Sequence, residues 1–314
     1  MIRTGIYSLD QFNLTSVKDF FGKERNISIY LYNKINQIDS IDKKNEYTEL
    51  ILNRFNSDRN IIKRTYKNRF NNFDNSSISK ILEQDYARNS ILDIAISDGR
   101  ASCFFLEQSI NQLQNFCYTG TDIQINYYLN KKRENNKSYI ITDESKKIIE
   151  ITYPPFVWNL ARTEGGFYFI NNLLKEHFLR KAERDLHKEK FKYQEKIELI
   201  HPDFKTLLRK NSGFQVQNYN LFNEIPRKYF VIRAMNILHQ GYFNKDQLIL
   251  ILNNIYIGLE TGGLFIEGSN ENEGTPVEGA IYKKCKDGFT LLHEPEKPSR
   301  IKEFIHSFRP VNLQ

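Results

Sequence analysis

A mainly parallel α/β sheet ending in an antiparallel hairpin is the fold this sequence predicts, and three observations carry the prediction. An apolar run, Ile91 to Ile96, closes on Ser97-Asp98-Gly99 and leads into a helical stretch. A second strand ends on an acid, Thr121-Asp122, and near the other end Cys285-Lys286-Asp287-Gly288 separates two strand-like segments. Strands alternating with helices pair in parallel, whereas a tight turn between strands pairs them antiparallel.

The chain has 314 residues, of which 40% are apolar and 26% charged, values that exclude disordered, collagen-like and disulfide-scaffold classes. A chain of this length buries about three quarters of its unfolded surface. The net charge of +7 is spread over the sequence, which suits an anionic partner or a solvated surface equally. Leu248 to Leu252, the longest aliphatic stretch, is far short of the roughly 18 residues of a membrane span. Met1-Ile2-Arg3-Thr4-Gly5 has no basic and apolar regions of a secretory leader, so a cytoplasmic protein is expected. Cys103, Cys117 and Cys285 are odd in number and widely spaced, and are expected to be buried thiols rather than a disulfide framework or a metal site.

Taken in order, residues 1–85 read as a mostly helical segment, with apolar residues at helical intervals in Ile61 to Phe73 and Ile78 to Tyr86. Arg54, Arg59, Lys63, Arg64, Lys67 and Arg69 interleave there with Tyr66, Phe70 and Phe73, a pattern that serves a nucleic-acid surface or a solvated helix with a core-facing aromatic side. The α/β domain then occupies 86–314. After the strand Ile91 to Ile96, Ala101 to Leu113 forms a helix with Phe105, Leu106, Ile110 and Leu113 on one face, and Phe116 to Gly120 is the second strand. About 138–196 reads as an insertion: two short strands flank Asp143 to Lys146, and Leu173 to Lys196 forms a long charged helix. Strands follow at Lys196 to His201, Phe214 to Tyr219 and Tyr229 to Met235. Asn244 caps the next helix with Gln247 reaching back, Leu248, Ile251, Leu252, Ile255 and Leu259 line its apolar face, and Gly262-Gly263 is expected to stop it before the strand Leu264 to Ile266. Ala280 to Lys284 and Phe289 to Leu292 form the closing hairpin.

In an open parallel sheet, ligands bind beyond the carboxyl ends of the strands where strand order reverses. Gly99, at the turn after the first strand, and Asp122, after the second, meet there as a nucleoside-binding pair. Leu92 to Gly99 is similar to the D-x-G-x-G-x-G strand end of class I S-adenosylmethionine-dependent methyltransferases, and Thr121-Asp122-Ile123 is similar to that family's second motif. Leu259-Glu260-Thr261-Gly262-Gly263-Leu264 resembles the family's L-x-P-G-G-x-L stretch. The likeness spans Ser90 to Leu292, and Tyr229 to Gly268 also bears a distant likeness to chemotaxis-receptor methyltransferases.

The resemblance implies a Rossmann-like, seven-stranded, mainly parallel sheet with an antiparallel C-terminal hairpin, and S-adenosylmethionine as cofactor. It departs from the family at Ala95 and Ser97, which stand where the motif has glycine. By the resemblance Ala95, Ser97 and Gly99 line the methionine end, Asp122 the ribose, Ile123 and Leu221 the adenine faces and Asn220 the adenine edge. Arg233 and Ala234 pass beneath the methionine; Arg233 pairs either the cofactor carboxylate or an internal acid, and Asp93 is expected to organise the turn through backbone amides.

Methyl transfer needs an in-line nucleophile, and a base only where the acceptor must lose a proton. His201 and His239, with Asn236 beside the latter, stand near predicted strand ends as candidate catalytic residues, each weighed against a structural histidine. Tyr153-Pro154-Pro155-Phe156 lacks the polar residue of the amino-group methyltransferase motif and reads instead as a lid offering Phe156 and Trp158. Three functions follow: a methyltransferase acting on a small-molecule or protein acceptor, a nucleic-acid methyltransferase, and a binding protein whose cofactor pocket has closed at Ala95 and Ser97.

Overall fold

A computed structural model describes residues 4–14, 25–52, 54–58, 61–62, 68–84, 90–133, 137–161, 169–271 and 275–310. The chain divides into two compact units, one of Met1–Arg64 with Asn126–Leu199 and the other of Thr65–Ile125 with Ile200–Gln314.

The second unit is built on seven strands: β1 (Ser90–Ile94), β2 (Cys117–Asp122), β3 (Phe214–Asn218), β4 (Tyr229–Met235), β5 (Leu259–Ser269), β6 (Glu278–Cys285) and β7 (Gly288–His293). Their order is β3-β2-β1-β4-β5-β6-β7. The first five pair in parallel, and β6 runs antiparallel to both β5 and β7, so the sheet is mixed rather than parallel throughout. Strand order reverses between β1 and β4, which sets a cleft at their carboxyl ends.

Alternation along the strands fills the two faces. Ile91, Phe230, Val231 and Ile266 pack with helices α1 (Asn71–Leu82) and α2 (Cys103–Gln112) and with Phe204 of α3 (Pro202–Leu208). Leu92, Ile94, Ile232 and Phe265 pack with Leu248, Ile251, Leu252 and Ile255 of α4 (Lys245–Gly258) and Ile305 of α5 (Lys302–Ser307). The capping box at Asn244 and Gln247 is present, with both reciprocal hydrogen bonds. The helix ends at Gly258, four residues before the expected stop. β5 begins at once, and a register shift against β4 absorbs the extra residues, with Gly262 left-handed at φ 77°.

The first unit carries a five-stranded antiparallel sheet ordered Phe156–Asn159, Ile148–Tyr153, Tyr139–Thr142, Asn126–Lys132, Phe191–Glu198. Tyr127, Leu129 and Ile141 face Tyr47, Ile51 and Leu52 of helix Ile41–Leu52, while Ile140, Ile151 and Trp158 face Ala182 and Phe178 of helix Phe169–His187.

Several boundaries move. Helix Asn71–Leu82 belongs to the β1–β7 unit, because Phe73, Ile78 and Ile81 are buried in its core; the division falls at Arg64/Thr65 rather than at 85/86. The inserted stretch runs 126–199 rather than 138–196 and shares its unit with residues 1–64. The N-terminal region is not simply helical, since Gly5–Ile6 pairs with Asn26–Ile27 and Ile61–Ile62 pairs with Asn56–Asp58. The charged helix stops at His187, and after Glu189 at φ 52° the chain returns as a strand paired with Asn126–Lys132. Of the cysteines only Cys103 is buried; Cys117 and Cys285 are exposed at a strand start and a hairpin end. Among the described residues no helix is long and apolar enough to cross a membrane.

Candidate functional site

The turn after β1 keeps a backbone made for glycine. Ala95 and Ser97 both have φ 59° and Gly99 has φ 84°, so three alternate residues occupy the left-handed region, which costs a residue with a β-carbon about 1–2 kcal/mol. Hydrogen bonds hold them there. The Ile96 amide donates to the Thr121 carbonyl at 2.9 Å, the Gly99 amide to the Ile96 carbonyl at 2.9 Å, and the Ser97 amide to Asp122 Oδ2 at 2.8 Å. The Ala95 methyl packs against the α4-side core, and the Ser97 Oγ is buried with no hydrogen-bond partner among the described residues.

Asp122 therefore stands where the sequence placed it, at the end of β2 beside the turn. Its carbonyl also accepts from the Tyr219 amide at 2.9 Å, which ties β3's end to β2's. Ile123 follows with 51% of its surface exposed. Asn220 Oδ1 accepts from the Phe222 amide at 3.1 Å, and the Leu221 carbonyl accepts from Asn254 of α4 at 3.1 Å. Leu221, half-buried, packs against the α4-side core, and Ala234 is buried in the same core.

Gly99 is required by more than its φ. A β-carbon there would lie 2.2 Å from the Phe204 ring, because α3 docks directly on the turn. Gly99→Ala is expected to lower unfolding free energy by about 2–5 kcal/mol, summing left-handed strain and overpacking. Urea unfolding checks this, and an unchanged midpoint would show that Phe204 does not rest on the turn.

Arg233 is only 1% exposed and takes the second of its two readings. Its Nη1 donates to both oxygens of Asp93, at 3.0 and 3.1 Å, and its Nη2 donates to Asp74 Oδ1 at 2.9 Å. The guanidinium lies 4.8 Å from the Phe105 ring centroid. A cation so engaged is not presented to a cofactor carboxylate. Asp93, rather than binding backbone amides, takes this guanidinium and the Tyr118 hydroxyl at 2.8 Å. Burial pushes the Asp74 carboxyl up to about 6, with Arg233 opposing and Asp93 adding to the rise.

Both candidate bases make local hydrogen bonds. His201 caps α3: its Nδ1 accepts from the Asp203 amide at 3.3 Å, and its own amide donates to the Asp98 carbonyl at 2.8 Å. His239 Nδ1 accepts from the Gly241 amide at 3.1 Å, and its ring lies 4.0 Å from that of Tyr242. Burial lowers the His239 pKa, as does the charge of Arg300. Asn236, left-handed at φ 57°, links β4 to β5 by donating its amide to the Gly268 carbonyl and accepting from the Asn270 amide.

Two other expectations change. Trp158 is fully buried in the antiparallel-sheet unit, stacked on Phe156 and Phe178 with its Nε1 donating to Asn171, which removes it from a lid. In the basic stretch, Arg54 donates to the Arg25 carbonyl and Arg69 to Asn270, so both ends are engaged inward; Arg59, Lys63, Arg64, Tyr66 and Lys67 lie outside the described residues. Sequence reasoning missed Asp74 and Tyr118 as partners in the buried ion cluster. The available signal was an arginine inside the apolar strand Tyr229–Met235, which demands a counter-ion.

No protein-family model matches the sequence, and no curated protein does. Solved structures similar to the chain include the CMeT domain of the citrinin polyketide synthase (12% identity, TM-score 0.32, 64% of this chain and 36% of that one). A S-adenosylmethionine-dependent methyltransferase from Clostridium acetobutylicum is similar at 12% identity and TM-score 0.32, over 76% of this chain and 79% of that one. LepI in complex with SAM is similar at 10% identity and TM-score 0.32, over 82% and 42%. The chain thus spans about a third of the first of these and less than half of the last.

Proposed function

We propose that this chain is a S-adenosylmethionine-dependent methyltransferase acting on a small-molecule or protein acceptor. The observation that carries the reading is the left-handed backbone at Ala95, Ser97 and Gly99. Side chains that gain nothing from that conformation are held in it, at the switch point of a doubly wound sheet and against the acid that ends the second strand. Strain of this kind persists where surrounding structure over-determines it, as at ligand sites.

The cofactor, when bound, supplies an activated methyl group. The chain's own residues do the rest. Asp122 accepts from the ribose hydroxyls; a carboxylate has about four acceptor positions, so holding the Ser97 amide and a ribose are compatible tasks. Ile123 offers an apolar face to the adenine, and Asn220 its amide edge. The orphaned Ser97 Oγ gains a partner at the methionine end, and the Ala95 methyl, turned into the core, leaves the cleft open. Arg233 acts at a distance by fixing β4 to β1 through Asp93.

Calorimetric titration with S-adenosylmethionine, and separately with S-adenosylhomocysteine, tests this. Micromolar binding of either, about 8 kcal/mol, is expected. Asp122→Ala should weaken it by about 1–3 kcal/mol, the cost of unmatched buried hydrogen-bonding groups, with Asp122→Asn as a folded control that keeps an acceptor for the Ser97 amide. An unchanged affinity in Asp122→Ala would put the ribose elsewhere. A folded chain that binds neither ligand would overturn the reading in favour of a binding protein.

A further inference from the structure

The helix Phe169–His187 of the antiparallel-sheet unit has two unlike sides. On the inner side Asn171, Ala182 and Asp185 are buried, and Leu174, Phe178 and Leu179 pack with Ile140, Ile151 and Trp158. The outer side carries Phe169, Leu173, Glu176, Arg180, Glu183 and His187, all exposed and spaced alternately four and three residues apart. That spacing is the seven-residue repeat by which one helix lies along another, because it keeps a straight seam turned toward the partner. The seam opens on apolar residues in solvent: Phe169 is 64% exposed, Leu173 55% and Ile170, beside them, 48%. Clustered apolar surface of this kind marks an interaction site.

Past Leu173 the seam is charged, and its charges are unmatched. Among the described residues the side chains of Glu176, Arg180 and Glu183 make no ion pair or hydrogen bond, although Glu176 and Arg180 stand at the spacing that favours a pair within one helix. Arg184, on the flank, donates its Nε to the Arg180 carbonyl and so leaves both acids alone. The order of signs favours one arrangement. Laid parallel on a second copy, each charge meets itself, Glu176 on Glu176 and Arg180 on Arg180. Laid antiparallel about a two-fold axis level with Phe178, the helix midpoint, Glu176 meets Arg180 twice over by symmetry. Leu173 then meets the apolar stem of Glu183, and Phe169 the ring of His187.

We propose that this face joins two copies of the chain as an antiparallel helix pair, with Glu176 of each copy against Arg180 of the other. The 19 residues of the helix span about 28 Å. One helix pair of that length makes a small interface, in the size class of transient association, so dimer and monomer exchange at micromolar concentration. Charged seam positions lower affinity and in return fix direction and register. The contact involves none of the residues at the switch point of the mixed sheet, so its failure and that of the methyltransferase reading are separate results.

Sedimentation equilibrium of the full chain, at low and at high salt, tests the pairing. A monomer–dimer equilibrium is expected at low salt, several-fold weaker at high salt, where exposed charges are screened. Arg180→Glu and Glu176→Arg change exposed side chains, where substitution costs folding little. Each sets like charges together at the centre of the pair and should weaken dimerisation roughly tenfold or more. The two variants mixed should associate with one another, and the chain carrying both exchanges should regain dimerisation to within a few-fold of the parent. Recovery of that kind does not follow from a dimer formed through another surface. A chain that stays monomeric at low salt throughout the micromolar range would overturn the proposal and leave the face to a different partner. A dimer indifferent to both single variants, or a doubly exchanged chain no better than either, would overturn it too.

Discussion

Arg233→Ala is expected to destabilise the β1–β7 unit by about 3–5 kcal/mol, the cost of removing one partner from a buried ion cluster. Two carboxylates, Asp93 and Asp74, lose the cation they share, in a place where neither has access to water. The Tyr118 hydroxyl remains on Asp93, but a phenol supplies no positive charge. The Phe105 ring loses the cation held over it, a smaller term of about 1–2 kcal/mol. The loss should not be a loss of packing alone, and a double-mutant cycle separates the two. Arg233→Met keeps most of the volume, and combined with Asp74→Asn it should cost less than the two changes summed, by on the order of 1–3 kcal/mol. Urea unfolding of the four proteins measures it. Strict additivity, or an Arg233→Ala protein within about 1 kcal/mol of the parent, would mean that the cluster is not paired as described. S-adenosylmethionine affinity supplies a second readout: Arg233→Met, if folded, should weaken it only modestly, because the guanidinium holds strands and not ligand.

This cluster also marks the limit of what a sequence discloses. Ile91 to Ile96, Tyr229 to Met235 and the Asn244 cap were legible because their signals are local: an apolar run, a side-chain acceptor three residues before its amide, a glycine after a strand. The pairing of Arg233 with Asp74 spans 159 positions, and nothing near Asp74 distinguishes it from any acid on a helix. The antiparallel sheet of the first unit was hidden for a related reason. Half of Phe191–Glu198 is charged, and its exposed residues read as a solvated helix; only pairing with Asn126–Lys132, some sixty residues earlier, makes it a strand. At the candidate site the position of Asp122 followed from strand order, but the conformation of Ala95 and Ser97 did not. Residue type argued against left-handed backbone there, and hydrogen bonds from Ile96 and Ser97 to the end of β2 overrode it.

Stability should fall as pH rises from about 5 to 8, because three buried acids hold protons in the folded chain that the unfolded chain has released. Burial pushes Glu267 up to about 8, Glu150 up to about 7 and Asp74 up to about 6, from ordinary values near 4. Glu150 accepts from the Ser28 hydroxyl and the Ile29 amide, bonds that oppose the rise without cancelling it. Below pH 4 all three are protonated in both states and contribute no slope. Between that point and each folded pKa the native state binds more protons, so unfolding free energy declines with pH until about pH 8. Other groups pull the opposite way at the margins. Asp185, bonded to Lys132, and Glu278, bonded to Arg300, have lowered pKa values and lose their contribution in acid. His239, lowered by burial, adds a rise with pH up to its ordinary value of 6.5. Lys284, lowered to about 8 by burial, gives a compensating rise only above pH 8. The buried acids dominate between, and the net loss is on the order of a few kcal/mol, because a tenfold change in a group's proton affinity between the folded and unfolded chain is worth about 1.4 kcal/mol. Thermal melts from pH 4.5 to 9 should therefore peak near pH 5. Glu267→Gln should flatten the upper part of the profile and Glu150→Gln the middle. A melting temperature that is constant or rising from pH 5 to 8 would show that these carboxyls are ionised in the folded chain, with water or a bound cation at Glu267 in place of its proton.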